Sequence, residues 1–264
     1  QPSAPSHVES FDQERFWQGV DQAERPGRAG ATSAWPVEVP SDSDLWSFGP
    51  DALRDDAQSA PDRPNGLELG PESWLGDEHI YADYVLLRQE LQNINPDLAA
   101  RTRFVDPVIA HHLRSSPEDV AEATLGHIVG GQYRNDTADF LFLPLNDADP
   151  TNPNRRGTHW SLLLLDRRDR ANPVAYHYDS LRARRIHNTI ATELAARLQA
   201  GRLARPDMAQ QLNGYDCGVF LLDATRALAA GLEQGQQPDE VHLNDLVGDR
   251  QALRQRLRTD PRWG

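Results

Sequence analysis

The chain has 264 residues, a formal net charge of −13 and a hydrophobic content of 38%, which is enough apolar surface for one substantial domain or two small ones. No run approaches the roughly 18 consecutive apolar residues of a membrane-spanning helix, and no basic stretch followed by an apolar one marks a secretory signal. The single cysteine excludes an internal disulfide and a cysteine-rich zinc site. Because the chain begins at Gln1, we expect it to be a piece of a longer protein.

Residues 1–66 differ in composition from the rest of the chain. They hold eight of the nineteen prolines and many Ser, Asp and Gly residues, which is typical of an extended or partly disordered arm. Within the arm, Leu45, Trp46 and Phe48 form an apolar cluster that we expect to dock on the domain or on a partner. We therefore divide the chain into an N-terminal arm, 1–66, and a folded domain, 67–264.

The folded domain begins with two predicted helices. In the first, Asp77 and Glu78 occupy the first turn, and four apolar residues share one face: Ile80, Tyr84, Leu87 and Leu91. The second starts at Ser116 as its N-cap, with Pro117 at the first helical position. Helix formation is therefore predicted before any strand.

Three strands and three further helices follow. The strands are predicted over residues 139–145, 159–166 and 174–181, where apolar and aromatic residues dominate. An amphipathic helix follows, with a predicted buried face made of Ile186, Ile190, Leu194 and Leu198. An apolar helix runs from Cys217 to Ala230, and a last one lies near 249–258. This order predicts an α+β fold with a central mixed sheet flanked by helices.

The spacing of the predicted hairpin brings together one polar pair. The turn between strands 159–166 and 174–181 is centred near Asp169, so residues whose numbers sum to about 338 would lie opposite each other, as His159 and Asp179 do. Their Cβ atoms would lie roughly 5 Å apart on one face. A carboxylate there can orient an imidazole through one ring nitrogen and leave the other nitrogen as a base. A purely structural His–Asp pair fits the same spacing.

The only cysteine stands at the start of the apolar helix. The helix is apolar on nearly every side, which predicts burial in the centre of the domain. At its N-terminus, unpaired N–H groups and the helix dipole would stabilise a Cys217 thiolate. Asn213 and Gly214 supply a tight reversal before it, and Gly218 leaves room for a substrate backbone to approach the sulfur. These neighbours favour a nucleophile, with an inert buried thiol as the alternative.

A glutamine lies close enough in sequence to assist such a nucleophile. Gln211 precedes Cys217 across the Asn-Gly turn, so it can fold back and offer its side-chain amide to a developing oxyanion, with the Cys217 N–H as a second donor. Gln210 beside it is chemically identical, and a surface glutamine is the alternative interpretation.

Five segments in this order resemble the ubiquitin-like-protein-specific cysteine proteases, which include the SUMO proteases, called sentrin-specific proteases in animals. The segments are "WLGDEHI", "FLFLPLN", "HWSL", "YDSL" and "QLNGYDCG", and the resemblance covers roughly residues 70–230. The chain has 27 basic residues, all of them arginine, for which a GC-rich genome is one explanation. Together with the acidic, proline-rich arm, this composition looks most like the NopD/XopD type of type III effector, which plant-associated bacteria deliver into host cells.

The resemblance implies a papain-like fold of the SUMO-protease type and a set of site residues. The implied catalytic residues are Cys217 as nucleophile, His159 as general base and acid, Asp179 as its orienting partner and Gln211 in the oxyanion hole. Substrate-binding roles are implied for Trp74 and Trp160, which would sandwich a Gly-Gly tail, and for Asp77, which would pair with an arginine of that tail. We add Gly218 for the reason given above. The family's usual Asn is replaced here by Gly76, which affects the rim of the site and not the triad.

These observations predict a deconjugating hydrolase. We expect it to cleave after the C-terminal Gly-Gly of SUMO, or of ubiquitin or another related modifier, with no metal or organic cofactor, no nucleic acid and no membrane, as a monomer. By resemblance, it would be secreted by bacteria into the host nucleus or cytoplasm. Two alternatives remain open: an effector acetyltransferase of related fold that uses acetyl-CoA, and a catalytically silent module that binds ubiquitin-like proteins.

Overall fold

The computed structural model describes residues 8–10, 67–130, 135–149, 157–182 and 185–259. Except for residues 8–10, the arm predicted over residues 1–66 lies outside the described residues, and so does the cluster around Trp46. The prediction that this cluster docks therefore stays a prediction.

Within the described ranges the chain forms six strands and seven helices. The strands are β1 (Val8–Ser10), β2 (Thr102–Phe104), β3 (Phe140–Asn146), β4 (Trp160–Asp166), β5 (Val174–Tyr178) and β6 (Arg202–Ala204). The helices are α1 (Asp77–Ile94), α2 (Pro96–Arg101), α3 (Pro107–Ser115), α4 (Glu118–Gly130), α5 (Arg185–Arg197), α6 (Cys217–Glu233) and α7 (Arg250–Thr259).

The strands form one mixed sheet in the order β1-β6-β5-β4-β3-β2. β4 pairs antiparallel with both β3 and β5, whereas β2 runs parallel to β3 and β6 runs parallel to β5. A central mixed sheet in an α+β domain is the predicted architecture, and it is confirmed.

The sheet is buried on both faces, as the leucine run in β4 shows. Leu162 and Leu164 pack on one face in a cluster with α1 and α6. Leu163 and Leu165 pack on the opposite face in a cluster with α3, α4 and α5. Because successive side chains of a strand point to opposite faces, a continuous apolar run suits a strand that is covered on both sides. Helix α6, which begins at Cys217, therefore lies against the centre of the sheet.

The long elements lie where the sequence predicts them, and the short ones are additional. The predicted strands overlap β3, β4 and β5, although β5 ends at Tyr178, before the predicted end at 181. The predicted apolar helix begins at Cys217, as α6 does, and α6 extends to Glu233. The sequence analysis missed β1, α2, β2, α3 and β6, which have three to nine residues each. None of the described helices is both long and apolar enough to cross a membrane.

A buried acid joins three helices behind the sheet. Asp83 of α1 is fully buried and accepts two hydrogen bonds from Arg226 of α6, both at 2.9 Å, and one from Arg256 of α7 at 2.8 Å. Burial opposes the charge on Arg226, but its hydrogen bonds and ion pairs with Asp83 and Glu90 outweigh burial and raise its pKa. The charge of Asp83 therefore connects α1, α6 and α7.

We predict that Asp83→Asn lowers the free energy of unfolding by about 3 kcal/mol, because it leaves two partly buried guanidinium groups without their shared charge. Glu90→Gln is the matched control, since Glu90 contacts the same Arg226 from a solvent-exposed position and such pairs contribute below about 1 kcal/mol. Urea denaturation of both variants measures the difference, and equal losses would contradict the role of the buried charge.

Candidate active site

The turn before Cys217 is built by one asparagine side chain. The Oδ1 atom of Asn213 accepts hydrogen bonds from the N–H groups of Tyr215 at 3.1 Å and Asp216 at 3.0 Å, while its Nδ2 atom donates to the Asp216 carboxylate at 2.7 Å. This side chain reproduces a backbone turn. It sets the direction in which the chain enters α6, and Cys217 is the first residue of that helix.

The Cys217 thiol is buried, with 4% of the residue exposed. Burial raises the pKa of the Cys217 thiol, and the N–H groups of Trp160, Gly218 and Cys217 itself offset part of this rise, while the charge of Asp147 adds to it. The expected stabilisation of a thiolate at the helix N-terminus is present, but desolvation outweighs it. The thiol therefore favours its protonated form until a base takes the proton.

The predicted His–Asp pair is present, although its register differs from the prediction. His159 Nε2 lies 2.7 Å from Asp179 Oδ1. In the hairpin, Leu163 pairs with His177. The numbers of facing residues therefore sum to 340, and not to the predicted value of about 338. Within the turn, Asp169 Oδ1 accepts a hydrogen bond from the N–H of Ala171 at 2.9 Å. His159 and Asp179 lie just outside β4 and β5, still on one face, and meet diagonally.

Hydrogen bonds hold both members of the pair in place. Asp179 Oδ1 also accepts a hydrogen bond from the backbone N–H of Leu181 at 2.8 Å. The backbone N–H of His159 donates to Asp147 Oδ1 at 2.8 Å. Burial opposes the charge of Asp179, but its hydrogen bond with His159 and its close approach to His187 outweigh burial and hold its pKa well below its usual range. Asp179 is therefore a carboxylate, and its bond to Nε2 leaves Nδ1 of His159 for proton transfer.

His159 and Cys217 line one cleft of about 350 Å³. Trp74 and Trp160 line the same cleft, as the resemblance implies, with Trp74 53% exposed at its mouth and Trp160 buried. The indole N–H of Trp160 donates to the carbonyl of Leu75 at 2.9 Å, which fixes the ring. Two aromatic residues therefore line the same cleft as the thiol.

Asp77 also lines the cleft, at the start of α1. Burial and the negative charges of Glu78 and Asp106 raise its pKa. A carboxyl group in such a site gains from a cationic partner, and its implied pairing with an arginine stays a prediction. Gly76 precedes it, and a side chain there would collide with the flexible carboxylate end of Glu78.

The two adjacent glutamines have different contacts. The Gln211 side chain accepts from the Ser180 hydroxyl and donates to the Asn213 carbonyl, both at 2.7 Å. A primary amide has two N–H donors, so one is left for an oxyanion. Gln210 instead donates to the Asp179 carbonyl at 3.0 Å and supports the triad from outside. The oxyanion role of Gln211 stays a prediction.

The structure gives a reason for Gly218 that differs from the expected one. A Cβ built at Gly218 would lie 2.9 Å from the Cβ of Leu75, which is closer than real Cβ contacts allow. The glycine therefore lets the segment that carries Leu75 pack directly on α6. Its expected contact with a substrate backbone stays a prediction.

The sequence analysis missed His187 and Asp147. His187 of α5 is 2% exposed, and its ring stacks on His159 with centroids 4.0 Å apart. The predicted buried face of this helix included Ile186, which is in fact 50% exposed. The alternative face, with His187 three residues before Ile190 and seven before Leu194, was a detectable signal, since a histidine on an apolar stripe is unusual.

One triple of donor atoms lies close enough together to raise the question of a metal ion. Single donor atoms of His159, Asp179 and His187 lie within 4.8 Å of one another. The two imidazole rings, however, are nearly parallel, at 16°. Their nitrogen lone pairs lie in the ring planes and so run side by side, whereas metal ligands must converge on one point. We assign no metal to this cluster.

A buried cysteine at a helix N-terminus, a histidine in the same cleft and a carboxylate bonded to that histidine define a cysteine-protease type of site. The chain belongs to the Ulp1 protease family, whose C-terminal catalytic domain it matches over residues 73–260. The sequence left two enzyme classes open, a cysteine protease and an acetyltransferase. The match is to a protease family and so favours the protease.

Solved structures agree with the family and the fold. The Xanthomonas campestris effector protein XopD bound to ubiquitin is 27% identical, with a TM-score of 0.62 over 78% of this chain and 100% of that chain. A Xanthomonas XopD mutant is 28% identical, with a TM-score of 0.59 over 71% and 99% of the two chains. The predicted fold type is confirmed.

Sequence relatives come from animals, plants and yeast. Mouse sentrin-specific protease 8 is 28% identical over 66% of this chain and 76% of its own length. The NEDD8-specific protease 1 of Arabidopsis thaliana is 31% identical over 40% of this chain. The chain spans 33% to 47% of the length of the NEDD8-specific proteases that it matches. By their names, these relatives are all proteases specific for ubiquitin-like modifiers.

We predict that Asn213→Ala lowers kcat about 10- to 100-fold, because the turn that sets the entry into α6 loses its internal acceptor and the thiol shifts relative to His159. The matched control is Asn95→Ala, which removes an equivalent cap at the start of α2, where Asn95 Oδ1 accepts from the Leu98 N–H. Both variants should lose about 1 kcal/mol of stability. Equal kcat values for the two variants would contradict the positioning role of Asn213.

Proposed function

We propose that this chain is a cysteine isopeptidase and endopeptidase that cleaves after the C-terminal Gly-Gly of SUMO or a related ubiquitin-like modifier. The observation that carries the proposal is the cleft that Cys217 and His159 both line, with His159 held by Asp179 at 2.7 Å. Trp74 and Trp160 line the same cleft, which suits a narrow, flat substrate tail.

The first half of the reaction forms a thioester. His159 takes the thiol proton on Nδ1, and the Cys217 sulfur attacks the carbonyl carbon of the terminal glycine. The carbonyl oxygen becomes an oxyanion, which the Cys217 N–H and the remaining N–H of Gln211 stabilise. As the carbon–nitrogen bond breaks, protonated His159 gives its proton to the leaving amine.

The second half releases the modifier. A water molecule gives one proton to His159 while its oxygen attacks the thioester carbonyl. The carbon–sulfur bond then breaks, and the proton on His159 returns to the sulfur. Asp179 stays ionised throughout and stabilises the imidazolium that forms twice in each cycle. The products are the free C-terminal carboxylate and the regenerated thiol.

The selection of glycine follows from steric exclusion. A slot between the flat rings of Trp74 and Trp160 admits a backbone without side chains and rejects residues that carry a Cβ. The proposal of SUMO in particular rests on the original resemblance, while relatives named NEDD8-specific proteases and the structure of XopD bound to ubiquitin make NEDD8 and ubiquitin the two direct competitors.

We propose further that the protein acts as an effector inside a host cell, in the nucleus or cytoplasm. Two observations support this: the similarity to an effector protein of Xanthomonas campestris and a composition with 27 arginines and no lysine. A chain without lysine offers no side-chain amine for ubiquitin attachment, which would protect it in a host cytosol.

The proposed chemistry predicts covalent capture of Cys217. Modifiers with a C-terminal electrophile in place of the last carboxylate, prepared from SUMO, NEDD8 and ubiquitin, should form one adduct with the wild-type chain, measured by mass spectrometry. Since Cys217 is the only cysteine, Cys217→Ala should form none while still binding the modifier. The preferred modifier is the one captured fastest, and absence of capture by all three would end the proposal.

The proposed slot predicts a specific effect of Trp74. Trp74→Ala should lower kcat/KM about 10-fold or more for a substrate that ends in Gly-Gly, because one wall of the slot is lost. Val247→Ala is the matched control, since Val247 is also exposed and apolar but does not line the cleft. Fluorogenic modifier substrates measure both rates, and a wild-type rate for Trp74→Ala would contradict the slot.

A further inference from the structure

His187 lies against the catalytic pair without belonging to the proposed triad. Its ring stacks on that of His159 at 4.0 Å between centroids and 16° between planes. Its Nδ1 atom lies 3.3 Å from Asp179 Oδ2, and its Nε2 atom lies 3.7 Å from Asp147 Oδ2. Both nitrogens are buried, and among the described residues neither has a well-formed hydrogen bond. The ring is thus held by two carboxylates and one stacked imidazole.

The two carboxylates are also attached to the catalytic histidine. Asp179 Oδ1 is hydrogen-bonded to the His159 ring. Asp147 Oδ1 accepts a hydrogen bond from the backbone N–H of His159 at 2.8 Å. The second oxygen of each acid faces His187. One imidazole therefore bridges both acids that fix His159, one holding its side chain and the other its backbone.

The charges around His187 favour its protonated form. Burial opposes the charge, but Asp147 and Asp179 outweigh it and raise the pKa of His187 to about 9. Two carboxylates with one imidazolium between them leave a smaller net charge to bury than two carboxylates with a neutral ring.

Other charged and titratable groups near this cluster come from the neighbouring elements. On β5, burial lowers the pKa of His177 to about 4, so His177 is neutral near pH 7. On α3, Arg114 interacts electrostatically with Asp147. On α6, the Cys217 thiol favours its protonated form. His187 is therefore the histidine of this cluster best placed to carry a positive charge.

We propose that His187 is a positioning residue for the reaction proposed above: as an imidazolium that bridges Asp147 and Asp179, it fixes the carboxylate that orients His159 and keeps a second proton off His159 until the thiol supplies one. The inference rests on that proposed function. Two like charges on rings 4.0 Å apart repel each other in a buried site. A charged His187 therefore opposes a second positive charge on the ring stacked against it.

The test separates the charge of His187 from its packing. In His187→Asn, the amide retains a donor near the Nδ1 position but removes the charge. His159 should then hold its second proton up to a higher pH, so the acidic limb of the kcat/KM profile should move upwards by about one pH unit. His187→Arg keeps a planar cation and should leave the limb near its wild-type position.

The matched control is a second buried histidine. His177→Gln replaces a ring whose Nε2 atom contacts the Ser161 hydroxyl at 3.0 Å and removes no positive charge. It should lower stability without moving the acidic limb. An unchanged limb in His187→Asn, or an equal shift in His177→Gln, would overturn the inference.

A measurement on the wild-type chain needs neither turnover nor a variant that folds. Long-range 1H–15N spectra of 15N-histidine-labelled protein at pH 7.5 should show both ring nitrogens of His187 protonated and His159 in a neutral form. A neutral His187 would overturn the inference. A charged His187 in a chain that turns over no Gly-Gly substrate would instead count against the proposed function, so the two failures are distinguishable.

Discussion

The geometry of the site depends on the burial of one carboxylate at the end of β5. Asp179 is 4% exposed, and a buried charge is tolerated only when paired and hydrogen-bonded. Its partners are His159 from the start of β4, the N–H of Leu181, and His187 from α5. Because each partner comes from a different segment, one carboxylate fixes the relative position of all three. Its own carbonyl is held by Gln210.

A single guanidinium, that of Arg250, connects the segment before Trp74 with the loop before Cys217. Arg250, at the start of α7, donates to the carbonyls of Gly70 at 3.0 Å and Ser73 at 2.8 Å. It also donates to the Tyr215 carbonyl at 3.1 Å and pairs with the Asp216 carboxylate. The segment that leads to Trp74 and the loop that leads to Cys217 are therefore joined through one side chain. The distance between Trp74 and Cys217 therefore depends on this connection.

Local patterns predicted most of the fold, while contacts between distant segments were not predictable in detail. Continuous apolar runs gave β3, β4 and the helix that starts at Cys217, because burial on both faces leaves a strong local signal. The three-residue strands β2 and β6 form by pairing with distant segments, β2 with β3 and β6 with β5 and β1, and three residues are too few for a recognisable pattern.

The site shows the same division between local and distant contacts. The pairing of His159 with Asp179 was predicted, but the register of the hairpin differed by two residues. His187 was missed because a spacing of four from Ile186 drifts off the true face of a helix with 3.6 residues per turn. Its contacts with Asp147 and Asp179 are made only in the folded chain. The Asn213 turn, by contrast, is local and was visible as a reversal signal.

The protonated state of the buried thiol has a consequence for selectivity. A thiolate formed in advance would react with any electrophile that reaches it, since the thiolate is the nucleophile. In this cleft, burial raises the pKa of Cys217 and favours its protonated form, and in the proposed reaction His159 takes that proton. Proton transfer is then favoured when a bound carbonyl can receive the developing charge and oxyanion donors stabilise it. In the proposed reaction, reactivity therefore depends on a substrate tail that binds in the cleft lined by Trp74 and Trp160.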